Sequence, residues 1–408
     1  MNKDTNKSTF DQVLFALSQQ NQRFKSDRYT KKLSTLQLIN LLVIAQINQE
    51  PSLRDISNSL NHEGMKEEIG IDSFHYSNIS RRLRSLDTGD IKKLFKDLVV
   101  SLGIKNGFAK TQQQLGSLNL IDSTTISLCL TRYPWAEFRK TKSGIKAHLR
   151  LRFTDGYGIP DEMIFTPAKQ SDRSQMDGLV VDETGALNVF DRGYNDYKKF
   201  DSYCEGGILF VTRIKSNAII EIVSDNPVEP DSVIEKDQIV RLGNGNNRMK
   251  HDLRLVETKD TEGNPVLILT NDLKRSAEEL GCIYRHRWQI ELFFKWIKQH
   301  LTVKHLYSTG YQAVENQIYI ALITYCLLVL LKMETGFNGS LRVMQRLLKT
   351  CLFEPFDSFL RKLLRESVRR SKGRRKIDCQ AIFDYTLGQV VTGEADHLND
   401  LTFDPVIL

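Results

Sequence analysis

Cysteine is sparse in this 408-residue chain, and its six copies (Cys129, Cys204, Cys282, Cys326, Cys351 and Cys379) form no C-x-x-C pair. That scatter excludes a disulfide framework and a cysteine zinc site, and it suits a reducing, cytoplasmic compartment. Glycine (24) and proline (9) are also few, and 40% of residues are hydrophobic, which excludes collagen-like, low-complexity and largely disordered chains. No apolar run reaches bilayer length. The greasiest, Ile318–Leu331 (IYIALITYCLLVLL), has 14 residues against the roughly 18–20 needed to span, so a buried core helix is expected there. The first residues, MNKDTNKSTF, lack the apolar core of a signal peptide. No internal repeat is evident.

Charge of one sign is not in large excess either: 57 Lys and Arg face 50 Asp and Glu, leaving +7. Its distribution is more informative. Residues 1–110 carry +5, 111–215 carry +1, 216–280 carry −5 and 281–408 carry +6. Residues 361–376 (RKLLRESVRRSKGRRK) hold nine basic side chains and one acidic, and residues 131–152 hold seven and one, interleaved with Tyr133, Trp135 and Phe138. Solvated faces account for such runs as readily as a polyanionic partner does. Two of them, one with aromatics, lean toward phosphate-backbone contact.

The length suits roughly two to three domains. The first hundred residues read as helical. Ser34-Thr35 caps a mostly apolar segment, Pro51-Ser52 starts a second, and a third begins near Ser77 with Arg81, Arg82 and Arg84 between its apolar positions. The 16 residues from Leu60 to Ser77 are too many for a tight helix-turn-helix, and a helical bundle with a basic face fits as well as a DNA-binding unit. From about Ser117 the period turns to that of strands: SLNLIDSTTISLCL with a break at Asp122, IKAHLRLRFTD, DEMIFTPA, ALNVFDRGY and GGILFVTRI. An acidic antiparallel β-unit is expected over 216–280, its strands separated by turn signals such as Gly263-Asn264-Pro265. A helical pattern returns near Ser276 and continues through GCIYRHRWQIELFFKWIKQHL.

Two features carry chemistry. On one uninterrupted helix, Tyr284, Arg287, Glu291 and Lys298 share an arc of about 60°, beside an apolar sector of Ile290, Phe293, Phe294 and Ile297. A surface stripe with an Arg287–Glu291 ion pair would produce the same spacing. Asp122 and Asp191 each follow an apolar run, where a strand is expected to give out; each alone reads as a turn former or cap. Together with Glu291 they make a set of hard oxygen donors suited to Mg²⁺. Two such ions roughly 3.5–4 Å apart support in-line phosphoryl displacement.

These residues resemble the catalytic core of DDE transposases of bacterial insertion sequences, in the branch marked by Y-(2)-R-(3)-E-(6)-K, here Tyr284, Arg287, Glu291 and Lys298. IDSTTI around Asp122, KSGIKAHLRLRFTDGYGIP, FDRGY around Asp191 and FVTRIKSN follow in the family's order. The resemblance covers about residues 115–335 and, more loosely, the helical N-terminal part. It implies a mixed α/β, RNase H-like catalytic core (113–215 and 266–335) interrupted by a small antiparallel β insertion (216–265). A helical N-terminal part (1–112) and a helical, basic C-terminal part (336–408) would flank it and contact DNA. It also implies Asp122, Asp191 and Glu291 as catalytic ligands of two Mg²⁺ ions, with Mn²⁺ as a substitute. Tyr284, Arg287 and Lys298 would hold phosphates of the element's end. The partners implied are double-stranded transposon-end and target DNA and, in the synaptic complex, a second copy of the chain on the bacterial nucleoid. The implied reactions are hydrolysis at the terminal inverted repeats and attack of the freed 3′-hydroxyl on target DNA. Some members also form a hairpin with help from a Trp in the insertion, but Trp135, Trp288 and Trp296 all lie outside 205–280. Two other readings share part of the pattern: a transposon-derived DNA-binding protein that does not cut, and an RNase H-like nuclease without strand transfer.

Overall fold

The computed structural model describes residues 7–19, 24–71, 73–105, 117–154, 157–215, 217–230, 232–259, 263–365 and Tyr385. Most of the basic run 361–376, the expected helical part beyond it and Cys379 lie outside these described residues.

Six helices come first: α1 (Thr9–Ser18), α2 (Thr35–Asn48), α3 (Leu53–Ser59), α4 (Glu63–Ile69), α5 (Tyr76–Ser85) and α6 (Thr88–Lys105). α2 starts where the sequence says it should. The Ser34 hydroxyl accepts from the Gln37 backbone N–H, and the Gln37 side chain accepts from the Ser34 N–H at 2.9 Å. Its residues Leu38–Ile47 are apolar almost all round, so the helix is buried rather than laid on the surface. The interval between Leu60 and Ser77 holds the short helix α4. Of the three arginines of α5, Arg82 turns inward, donating to the carbonyls of Leu33 and Ser26 and to Asp27.

Ten strands form one mixed sheet. They are β1 (Leu118–Leu128), β2 (Glu137–Arg139), β3 (Lys142–Thr154), β4 (Tyr157–Pro167), β5 (Leu187–Phe190), β6 (Leu209–Arg213), β7 (Ile220–Asp225), β8 (Ile234–Leu242), β9 (Leu253–Lys259) and β10 (Pro265–Thr270). β3 pairs antiparallel with β1 and β4, whereas β5 lies parallel to β1 and β6 parallel to β5. That order, β4-β3-β1-β5-β6 with the first three antiparallel, makes an RNase H-like core. Beyond β6 the sheet continues antiparallel through β10, β9, β8 and β7, so the acidic strands extend the core sheet. The expected break at Asp122 does not occur. β1 runs straight through it, with Asp122 opposite Leu149 of β3, because Ile126 and Leu128 continue the pairing beyond.

Further helices among the described residues are α7 (Tyr197–Gly206), α8 (Ala277–His286), α9 (Trp288–His300), α10 (Tyr311–Thr335), α11 (Leu341–Cys351) and α12 (Phe356–Leu363). α10 contains the apolar run but is 25 residues long, enough by length and composition to cross a membrane. Its surroundings explain its apolarity otherwise: it is enclosed by protein, in one apolar cluster with α2, α6, α9 and the sheet. Its polar groups also find protein partners. Tyr319 and Tyr325 donate to the carbonyls of Met163 and Gly158, and Asn316 donates to that of Leu86. A second, smaller cluster built on Phe190, Phe200 and Phe210 fills the opposite face of the sheet under α7.

The helix expected from Ser276 to Leu301 is divided at Arg287, where two i→i+3 bonds, Arg287 N–H to Tyr284 and Ile290 N–H to Arg287, tighten the turn. Arg287 itself keeps a helical backbone (φ −54°, ψ −31°). The start is fixed by a capping box, Ser276 with Glu279. Ser276→Ala is expected to cost about 1 kcal/mol of stability, read as a lowered thermal-unfolding midpoint with the activity of the folded protein retained.

Candidate active site

Strand register brings the two aspartates side by side. Ile121 of β1 pairs with Phe190 of the parallel strand β5, and Asp122 and Asp191 are the next residues on each. Alternation puts Ile121 and Phe190 into the smaller cluster under α7 and leaves the aspartates on the face of Leu120 and Val189. That face packs against α9 through Ile290, Phe293, Phe294 and Ile297, so the helix carrying Glu291 is held over the same face of the sheet. The apolar sector read from the sequence is thus the seat that delivers the third carboxylate.

Arg287 links the helix to the strand. Its Nη1 lies 2.7 Å from Glu291 Oε1 and 3.7 Å from Asp122 Oδ2, and its guanidinium stacks over the Tyr284 ring at 5.7 Å. The Arg287–Glu291 pair therefore exists, but it is not a surface pair: only 15% of the Arg287 side chain is exposed. Lys298 donates from Nζ to the Thr125 carbonyl of β1 at 3.1 Å. A cleft of about 410 Å³ is lined by Asp122, Ser123, Glu291, Phe294, Lys298 and Lys304. Asp191 turns its Oδ1 to the Gly193 N–H at 2.7 Å, capping a short 3-10 turn over Arg192–Tyr194.

The electrostatics of Asp122 follow from this packing. Burial pushes its carboxyl up to about 7, the Ser123 N–H at 2.7 Å opposes that, the charges of Asp191 and Glu291 add to it and Arg287 offsets part. Tyr284 is raised by burial, with Arg287 and Arg213 opposing and Asp191 adding. Burial and then Lys304 lower Lys298.

Spacing gave no sign of a supporting set around the acids. Asp172 accepts from Ser123 at 2.6 Å and from Lys146 at 3.1 Å and faces His148 Nδ1 at 3.3 Å. Burial opposes its charge, but bonds from His148, Ser123 and Lys146 hold its carboxyl well below the usual range. Tyr194 is fully buried within the field of Asp122, Asp172 and Asp191. Only Ser123 and Tyr194 could have drawn notice, as neighbours inside IDST and DRGY; Asp172 in sequence is one loop aspartate among several.

The donor chemistry suits a hard divalent cation, since Asp122 sits under the repulsion of two other carboxylates that such a charge would relieve. Among the described residues, however, no three His, Cys, Asp or Glu side chains are already gathered as a ligand cluster. The cation standing between Asp122 and Glu291 is the guanidinium of Arg287.

Comparison with known proteins places the chain in a family. The model of the transposase DDE domain matches residues 113–327, the span that contains both aspartates, Glu291 and the Tyr-Arg-Lys set. The chain belongs to the DDE transposases. A second model, of a domain of unknown function (DUF4372), matches residues 5–71 of the transposase, within its N-terminal helices. Among curated relatives, the transposase is 33% identical over 248 residues to a putative transposase, y4zB, of Sinorhizobium fredii, covering 59% of this chain and 68% of the relative. It is 29% identical over 299 residues to a probable transposase for the insertion sequence element IS5377 of Geobacillus stearothermophilus (72% and 75% covered). Among solved structures it is similar to a piggyBac transposase synaptic complex with hairpin DNA, with TM-score 0.43 and 14% identity over 90% of this chain and 79% of that one.

Proposed function

We propose that this transposase cuts DNA at the terminal inverted repeats of an insertion sequence and joins the freed 3′-hydroxyl to target DNA, with Asp122, Asp191 and Glu291 holding Mg²⁺ or Mn²⁺. The observation that carries the reading is the convergence of Asp122 and Glu291, from a central strand and a distant helix, on one nitrogen of Arg287 at the rim of a lysine-lined cleft. A bound divalent cation would supply an activated attacking oxygen and charge neutralisation at the phosphorus. The residues do the rest. Ser123, Lys146 and His148 keep Asp172 charged beneath the strand, and Phe293 and Ile297 fix the register of Glu291 against it. Arg287 can exchange its carboxylate partners for a phosphate, onto which its guanidinium can fork, and Lys298 offers a point charge beside it. Tyr284, stacked on Arg287, orients the guanidinium and presents a hydroxyl donor toward the end's phosphates.

In this reading residues 1–112 contribute DNA contacts, 113–215 and 266–335 form the catalytic core, 216–265 are the β insertion and 336–408 a basic flanking part. Two copies synapse two ends. Membership of the family supports a DNA substrate, and the basic side chains around the cleft support contact with its backbone.

Linear DNA carrying the repeats found beside the gene tests this. With Mg²⁺ or Mn²⁺ the protein is expected to release 3′-hydroxyl ends and to join them to a plasmid. Binding without cutting in either metal would leave the non-cleaving DNA-binding reading, and cutting without joining the nuclease reading. Arg287→Ala and Lys298→Ala are expected to slow end processing by about 10- to 100-fold, a loss of roughly 1.4–2.7 kcal/mol in the barrier, with overall retention of DNA changed far less.

A further inference from the structure

The cleft holding Asp122 and Glu291 does not end at Lys298. Lys298 and Lys304 also line a second cavity of about 360 Å³, whose far wall is α11. There Arg342, Arg346 and Lys349 follow the spacing i, i+4, i+7 on one face of the helix. The other face, Leu341, Met344, Leu348 and Cys351, is buried. With His300 from the end of α9, six basic side chains border one cavity, and no carboxylate is among its lining residues.

The cavity is braced from beneath. Gln49, just past α2, donates to the Gln299 carbonyl at 3.0 Å and accepts from Lys349 at 2.9 Å. Gln345 donates to the carbonyls of Ile47 and His300, at 3.0 and 2.9 Å. The end of α2 thus braces α9 and α11, which hold their basic side chains together. Their mutual field is felt: burial and then Arg342, Arg346 and Lys349 push His300 down to about 4. Burial lowers Lys349, with Glu50 opposing and Arg346 adding. Glu50 is the acid that bears on Lys349.

We propose that this cavity is a phosphate-binding track for the DNA backbone as it leaves the catalytic cleft, with Arg342, Arg346, Lys349 and Lys304 contacting phosphates of one strand. The cations are laid out along about 10 Å of helix and run into the cleft through Lys298 and Lys304, rather than closing around one point as a socket for a small anion would. The proposal rests on the DNA-end-processing reading above.

The test is binding of a fluorescent duplex carrying the element's end by the full-length protein in EDTA, over a range of salt. For Arg342→Gln/Arg346→Gln/Lys349→Gln, affinity near 0.1 M salt is expected to fall about 10-fold or more, and the slope of log K against log salt to shrink by about 2–3. Arg342→Lys/Arg346→Lys should keep the slope. Should the triple variant melt early, Arg346→Gln and Lys349→Gln, both at exposed positions, are each expected to lower the slope by about 0.9. An unchanged slope overturns the proposal. So does a variant that binds DNA normally but loses thermal stabilisation by inorganic pyrophosphate, which would mark a small-anion site. Asp122→Asn protein should bind with the wild-type slope. If the parent never cuts DNA yet its slope drops on α11 substitution, the end-processing reading fails and the track stands; if the parent cuts and the slope is unmoved, the reverse holds.

Discussion

Asp122→Asn, Asp191→Asn and Glu291→Gln are each expected to slow cleavage of the element's ends by at least about a thousandfold, close to 4 kcal/mol of barrier, while binding the same DNA within severalfold of the parent. Each amide keeps the shape of the side chain it replaces and removes the negative charge that a divalent cation needs. The measurement is a single-turnover cleavage time course on end DNA with Mg²⁺, beside a binding curve in EDTA. A variant that cuts at the parental rate would remove that residue from the proposed metal site. Asp172→Asn separates the acids from their support. It keeps Asp122 but weakens the Ser123, Lys146 and His148 contacts, so an intermediate loss is expected, smaller than for Asp122→Asn.

Without divalent cation, Asp122 is expected to make the folded protein less stable by up to about 4 kcal/mol as pH rises from about 4 to about 7. Its carboxyl titrates near 7 in the folded chain and near 3.8 when unfolded, and its side chain is 20% exposed. Between those two values the folded state binds a proton that the unfolded state has released. Stability is therefore greatest below the unfolded pKa, declines through the interval and is level above about 7. His300, pushed down to about 4 by burial and neighbouring cations, has the opposite slope. The readout is accordingly the difference between parent and Asp122→Asn in urea-unfolding free energy across pH 4–8. The variant should be the more stable at pH 8, and the gap should close near pH 4. Adding Mg²⁺ at pH 8 should raise the midpoint of the parent more than that of the variant. A pH-independent difference would show that Asp122 titrates as an ordinary surface carboxylate.

These two expectations have one origin. The site gathers like charges in a place of low solvent access, which lowers stability and gives the proposed cation something to bind. Arg287 stands in as counter-charge, bonded to Glu291 and near Asp122. That is why its loss is expected to disturb end processing more than general DNA retention.

Much of this was legible in the chain. The capping pairs Ser34/Gln37 and Ser276/Glu279 mark helix starts that the structure keeps, and alternation in ALNVF ends a strand just before Asp191. Local patterns record these because a cap or a pleat is satisfied by neighbours within a few residues. The break expected at Asp122 failed because a polar residue mid-strand can stay in a ladder when the neighbouring strand holds it there, here Leu149 of β3, although the pairing with β5 stops one residue earlier at Ile121. The single helix expected through Arg287 was divided by a tightened turn, yet the Tyr284–Arg287–Glu291 stripe survived.

By itself, then, the sequence determined the element types, the buried character of 318–331 and a family signature whose spacing carries the chemistry. Only the tertiary structure decided that the parallel pairing of β1 with β5 sets Asp122 beside Asp191, and that Asp172, at the start of a 3-10 turn, bonds Ser123 next to Asp122. It likewise decided that α11 turns three cations toward the end of α9. Those relations join residues far apart in the chain through strand register and helix packing, and neither is encoded in the spacing of any one segment.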